Sequence, residues 1–221
     1  MIETVAKGLA DLKEKVVFVG GATVSLYLKD EAARDVRPTD DVDCVIELTG
    51  RQDFYKLEQE LEKRGFRHAM GPADPICRWK YCGIKVDVMP SDTAILGFSN
   101  RWYKEGIKRA VKKRVLSQEI FLFPLPLFLA AKIEAFLGRG GKDFRLSHDM
   151  EDIVTVLDGQ EDFTELITAP GPVNAYLKEK IKTFLKDDSF IESLSAHLQP
   201  DPSATERARR ILDFLTKISK G

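Results

Sequence analysis

Asp41 and Asp43, separated by one residue in the run Arg37-Pro38-Thr39-Asp40-Asp41-Val42-Asp43, are the side chains best placed to do chemistry. On an extended strand, residues two apart point the same way at about 6–7 Å, so Asp41 and Asp43 share a face. Asp40 and Val42 face elsewhere. Two carboxylates so placed repel each other unless a cation lies between them. Mg²⁺ suits the pair, because it takes hard oxygen ligands and accepts only a few from protein. Asp87 offers a third carboxylate, interrupting the apolar pattern Lys85-Val86-Asp87-Val88-Met89. If that strand pairs beside residues 41–48, all three carboxylates converge on one or two metal ions. The plain alternative is that each caps a strand end or faces water, and Asp40 is assigned that role.

Gly20 and Gly21 supply the other half of a site. They end an apolar run and open a helix-like one, where backbone N–H groups approach an anion closely. A double glycine alone mostly relieves strain in a tight turn. Set one helix before a Thr-x-Asp-x-Asp strand, it becomes a phosphate seat beside a metal seat, the pairing that nucleoside triphosphate chemistry demands.

The elements that must position these groups can be read from periodicity. A short amphipathic helix opens the chain. Residues 15–20 read as a buried strand, 22–33 as a helix, 41–48 as a second strand and 52–64 as a helix ending at Gly65. Three short strands follow at 66–70, 76–81 and 85–89, punctuated by Gly71-Pro72 and Cys82-Gly83. A helical piece near 102–111 and a strand near 119–123 come next. Beyond Pro124 and Pro126 only helices are expected: 127–137, 147–157, 163–168, 173–185, 189–198 and 204–218. The spacing therefore predicts an α/β (α+β) domain over residues 1–123 and a C-terminal helical domain over 124–221.

Gly20, Gly21, Arg37, Thr39, Asp41 and Asp43, with Asp87 in a later strand, resemble the DNA polymerase β-like nucleotidyltransferase superfamily. The resemblance covers roughly residues 15–90 and implies a mixed β-sheet with flanking helices. It also implies two Mg²⁺ ions, or Mn²⁺ in their place, joining a nucleoside triphosphate (NTP) to an acceptor hydroxyl. Asp41 and Asp43 would then bind both ions, and Asp87 the ion that acidifies the acceptor. Arg37 and Thr39 would orient the aspartate strand or touch the nucleotide. The helical half is similar to the AbiEii-type (abortive infection toxin) branch, through Lys132-Ile133-Glu134-Ala135 and His148-Asp149-Met150-Glu151-Asp152-Ile153. His148 stands where that branch has its second lysine. The branch implies links to toxin–antitoxin systems and, in some members, nucleotide addition to tRNA ends.

Helical geometry singles out Lys132 independently. At about 100° per residue it lies with Phe128, Leu129 and Phe136, and a lysine on an apolar side needs an anion or an interface. Triphosphate oxygens would serve, and so would Asp149 in a structural ion pair; both remain open, and Lys132 and Asp149 are counted with Gly20, Gly21, Arg37 and Thr39 as the expected nucleotide-binding set. Asp149 is placed at the edge of its helix's buried stripe and Asp152 further away, both in the first turns, where acids favour the helix dipole. Lys104, Lys108, Arg109, Lys112, Lys113 and Arg114 form a dense basic run with Trp102 and Tyr103 beside it. It reads as a solvated helix face or as an RNA contact. Residues 139–142 (RGGK) resemble a phosphate-contacting loop without the P-loop pattern. His68, His148 and His197 show no zinc spacing and no catalytic triad.

The 221 residues carry 34 basic and 35 acidic side chains, a net charge of −1, which excludes a globally cationic nucleic-acid coat. No apolar run reaches the roughly 18–20 residues of a membrane span. The N-terminus lacks a signal peptide's apolar core. The three cysteines fit reduced thiols in a cytoplasmic protein, with Cys77 and Cys82 expected as small core residues. The expected function is Mg²⁺-dependent transfer of a nucleotide from NTP to an acceptor, with release of pyrophosphate. The acceptor would be RNA or tRNA, a protein or a small molecule, with an antitoxin protein as partner and no membrane. The rivals are an aminoglycoside-type nucleotidyltransferase and a non-catalytic nucleotide- or partner-binding protein on the same scaffold.

Overall fold

A computed structural model describes residues 1–29, 36–72, 74–169 and 171–220. The chain divides into two compact units. One comprises Met1–Thr23 and Pro38–Pro124, and the other Val24–Arg37 and Leu125–Gly221.

The first unit is built on a mixed seven-stranded sheet in the order β3-β4-β5-β2-β1-β7-β6. Its strands are β1 (Val16–Val19), β2 (Asp41–Ile46), β3 (Arg67–His68), β4 (Arg78–Tyr81), β5 (Ile84–Pro90), β6 (Val111–Val115) and β7 (Gln118–Leu122). The central strand β2 runs antiparallel to β1 and parallel to β5. Its inward residues Val42 and Cys44 have no exposure and Ile46 almost none, as expected of a strand buried on both sides. Helix α1 (Ile2–Leu9) buries Ile2, Val5, Ala6 and Leu9, and Glu3 receives the hydroxyl and the backbone N–H of Ser117 at the β6–β7 turn. Helix α2 (Arg51–Lys63) buries the Phe54, Leu57 and Leu61 stripe and stops before Gly65, whose φ of 88° suits glycine. Short helices α3 (Thr93–Leu96) and α4 (Tyr103–Lys108) follow β5.

Three expectations are corrected by the structure. The turn after β1 opens a six-residue 3₁₀ helix, Gly21–Leu26, where an α-helix over 22–33 was expected; residues 30–33 lie outside the described residues. The basic run is a solvated helix face only as far as α4. Lys112, Lys113 and Arg114 belong to β6, an edge strand exposed along nearly its whole length. Cys82 is no core residue: it is exposed with φ 48° beside Gly83 at φ 79°, forming the two-residue hairpin turn between β4 and β5. Cys44 and Cys77 are buried.

The second unit is helical: α5 (Leu125–Gly138), α6 (His148–Asp158), α7 (Thr164–Ile167), α8 (Gly171–Phe184), α9 (Asp188–Ala196) and α10 (Ala204–Lys220). Pro126 sits within the first turn of α5, where its missing N–H costs nothing. Ser147 caps α6 by accepting the Met150 N–H at 3.3 Å. Phe136, Phe144, Phe184 and Phe190 meet with ring centroids 5.0–6.0 Å apart and anchor the core of this unit. No described helix is long and apolar enough to cross a membrane.

Candidate metal centre

Strand pairing sets the site in one row. Asp43 on β2 is the register partner of Asp87 on β5, which in turn is the partner of Arg78 on β4; on the other side Asp43 pairs with Val19 of β1. Cross-strand partners project from the same face of a sheet, and Asp41 joins them two residues before Asp43. Asp41, Asp43 and Asp87 each offer a carboxylate oxygen, and these oxygens lie within 4.8 Å of one another. Among the described residues this is the one group of three or more His, Cys, Asp or Glu side chains so arranged.

Local contacts tune each acid. The Thr39 hydroxyl donates to Asp41 Oδ1 at 2.8 Å, so Thr39 orients the first carboxylate. Asp43 lies against the backbone of Gly20: a Cβ built there would stand 2.0 Å from Asp43 Oδ2. Gly20 also has φ 76°, which L side chains avoid. The Thr23 hydroxyl donates to the Gly20 carbonyl at 2.8 Å and holds that turn. The first glycine of the pair thus makes room for a carboxylate, a role the sequence alone did not suggest. Asp87 is only 8% exposed, and Arg78 grips it in a bidentate pair, Nε to Oδ1 at 2.8 Å and Nη2 to Oδ2 at 2.7 Å. Arg78 Nη2 also stands 3.8 Å from Asp41 Oδ2, and its Nη1 is 3.7 Å from Asp74 Oδ1. The Asp87 hydrogen bonds hold the guanidinium even more firmly protonated than usual.

Two buried thiols register the local negative charge. Burial, then Asp43 and Asp87, push the Cys44 thiol well above its ordinary value. Burial and the Asp87 charge push Cys77 up to about 12. Both remain neutral at physiological pH, so the charged donors of the cluster are oxygens.

That donor set fits Mg²⁺ or Mn²⁺. Carboxylate oxygens are the hard donors these ions take, and three within 4.8 Å of one another are near enough for side-chain rotation to draw them onto one ion or share them between two.

The remaining predicted residues, Arg37, Lys132 and Asp149, belong to the helical unit, where each meets charged groups of α6 or α5. Lys132 Nζ donates to Asp149 Oδ1 at 3.3 Å and to Asp152 Oδ2 at 2.6 Å. Asp149 also receives Arg139, the first residue of the RGGK turn. Arg37 lies 3.4 Å from Glu151 and 3.7 Å from Asp152. The structure thus contains the Lys132–Asp149 ion pair. It corrects the placement of Asp152, which is as deeply buried as Asp149 and closer to Lys132. Asp40 is exposed. In the basic run, Lys104 pairs with Asp92 at 2.8 Å, Arg109 with Glu105, and Lys112 with Glu119 at 4.0 Å.

Arg78 is the site residue that sequence reasoning missed. The signal was present: counting back from a two-residue turn at Cys82-Gly83 pairs Tyr81 with Ile84 and reaches Arg78 opposite Asp87.

No family model matches the chain, and no curated protein matches it in sequence. Among solved structures, it is similar to an antigenic nucleotidyltransferase-like protein from Paracoccidioides brasiliensis. The TM-score is 0.50 at 18% identity, over 88% of this chain and 90% of that one. At that identity the likeness speaks to the fold alone: an α/β protein with a nucleotidyltransferase-like mixed sheet, flanking helices and a helical C-terminal part.

Proposed function

We propose that the protein is a metal-dependent nucleotidyltransferase, moving a nucleotide from NTP to an acceptor hydroxyl with release of pyrophosphate. The observation that carries this reading is the convergence of Asp41, Asp43 and Asp87 on one face of a nucleotidyltransferase-like sheet. Bound Mg²⁺ or Mn²⁺ supplies Lewis-acid charge that acidifies the acceptor hydroxyl and offsets the charge of the phosphates. Asp41 and Asp43 would hold both ions, and Asp87 would complete the set on the acceptor side. Thr39 fixes the angle of Asp41, and Gly20 keeps the floor under Asp43 open. The backbone N–H groups around Gly20 and Gly21 would receive the triphosphate. Within the helical unit Lys132 is paired with Asp149 and Asp152, and Arg37 with Glu151 and Asp152, and the transfer step as proposed calls on none of them.

A finer reading makes the protein a toxin of the AbiEii type acting on tRNA in the cytoplasm, restrained by an antitoxin protein. It is supported by the meeting of Lys132 with Asp149 and Asp152 of the helix that follows. Growth arrest on induced expression, relieved by the Asp41→Asn/Asp43→Asn variant, is its expected signature.

The test of the activity is incubation with each labelled NTP, Mg²⁺ and total cellular RNA or lysate. Transfer of label is expected, with a loss of more than about 100-fold in Asp41→Asn/Asp43→Asn, since even outer-shell changes at metal sites cost 10–100-fold. Equal labelling by both proteins rejects the mechanism. NTP binding without pyrophosphate release, over a broad acceptor screen, identifies the non-catalytic binding protein instead.

A further inference from the structure

Arg78 occupies the position a divalent cation would contest. Its two donors take both oxygens of Asp87, at 2.8 and 2.7 Å, and the same Nη2 leans to 3.8 Å from Asp41. One guanidinium therefore faces two of the three carboxylates at once. In the metal-free protein it offsets the repulsion among them. A divalent ion arriving at those oxygens meets a fixed positive charge a few ångströms away, which opposes binding.

The structure also contains a place for that charge to go. Asp74 Oδ1 lies 3.7 Å from Nη1, whereas Nε and Nη2 bond Asp87 and Nη2 leans to Asp41; that distance is close enough to attract the guanidinium and too far to bond it. Its other oxygen, Oδ2, accepts the Gly71 N–H at 2.9 Å, so the acceptor is already oriented. Arg78 keeps part of its side chain exposed, and its guanidinium already lies within 4 Å of both carboxylates.

We propose that Arg78 is a counter-ion gate on the third metal ligand, holding Asp87 until a divalent cation displaces it toward Asp74. This rests on the metal-binding reading given above. Arg78 is then a positioning residue that sets how strongly the three carboxylates take up metal.

The experiment titrates Mn²⁺ into the full chain without nucleotide, following affinity by calorimetry or water-proton relaxation. The proteins are wild type, Arg78→Gln, Arg78→Lys, Asp74→Asn, Arg78→Gln/Asp74→Asn and Asp41→Asn/Asp43→Asn. Arg78→Gln is expected to bind Mn²⁺ at least about tenfold more tightly, since a like charge within a few ångströms opposes the ion. Arg78→Lys, which keeps the charge and loses the fork, is expected to fall between it and wild type. Asp74→Asn is expected to weaken binding several-fold in the wild-type background and to have little effect once Arg78 is gone. That coupling separates a handover from a simple loss of negative charge. Asp74→Asn is a loop substitution, so the wild-type comparison stands even where Arg78→Gln does not fold. Binding by wild type that Arg78→Gln fails to strengthen, or an Asp74→Asn effect of equal size in both backgrounds, overturns the gate and leaves the metal site standing. Absence of Mn²⁺ binding in every protein, or binding indifferent to Asp41→Asn/Asp43→Asn, overturns the metal site and the gate with it.

Discussion

Gly20 shows how one atom decides whether a carboxylate can stand where a metal needs it. Two effects act together there: a positive φ of 76°, and Asp43 Oδ2 at 2.0 Å from where a Cβ would be. Rotating the aspartate away would relieve the clash but leave the backbone strain. Gly20→Ala is therefore expected to cost about 2 kcal/mol or more, the strain alone contributing about 1–2. It should also weaken Mn²⁺ binding, because Asp43 must leave its place in the row with Asp87. Urea denaturation and a Mn²⁺ titration of the same preparation check both halves. An alanine variant of wild-type stability and metal affinity would show that the close approach is not needed. Gly83 is a useful contrast: it has φ 79° but nothing within 4 Å of its virtual Cβ, so an alanine there meets only the backbone strain.

At the scale of elements, legibility followed how local the signal was. Helix α6 announced itself through the Met150, Ile153, Val154, Leu157 stripe, all within a few turns of chain. The Asp41–Asp43 alternation and the apolar interruption at Asp87 were equally local, and the parallel β2–β5 pairing is what made them converge. Strand β6 was missed because Val-Lys-Lys-Arg-Val at an exposed sheet edge carries no buried alternation to read. Asp152 was misplaced for a related reason. A helical wheel knows only its own helix, and Lys132 reaches Asp152 from α5. That crossing gives a prediction. Lys132, Asp149 and Asp152 have side-chain exposures of only 12, 4 and 3%. Removing the lysine leaves two buried acids with Arg139 and Arg37 as remaining partners. Lys132→Met is expected to cost about 3 kcal/mol, the lower end for breaking a buried pair. Lys132→Met/Asp152→Asn should recover part of that loss, because the uncompensated charge goes with it. Denaturation followed at 222 nm measures both, and a single variant within about 0.5 kcal/mol of wild type would mean the pairs are solvated.

For the whole molecule, the division into two units makes metal binding observable without any enzymatic assay. The chain contains two tryptophans, Trp79 and Trp102, and both fall in the unit that carries the acidic row. They are 1 and 5% exposed, so their emission reports the opening of the sheet unit's core. Helices α5 to α10, in contrast, belong to the other unit and dominate the far-ultraviolet signal. A ligand stabilises the folded form that binds it, by about 2.7 kcal/mol at a free concentration 100 times its Kd. For a unit of roughly 100 residues that corresponds to a rise in Tm of roughly 10 °C. Mn²⁺ is therefore expected to raise the fluorescence-detected melting temperature of wild type in a concentration-dependent way. Asp41→Asn/Asp43→Asn should show no such rise, although relief of carboxylate repulsion leaves its metal-free melting temperature equal or higher. The 222 nm transition recorded on the same sample measures how far the helical unit unfolds together with the sheet. A Mn²⁺-induced rise of the same size in both proteins would place the ion elsewhere on the chain and remove the acidic row from the chemistry.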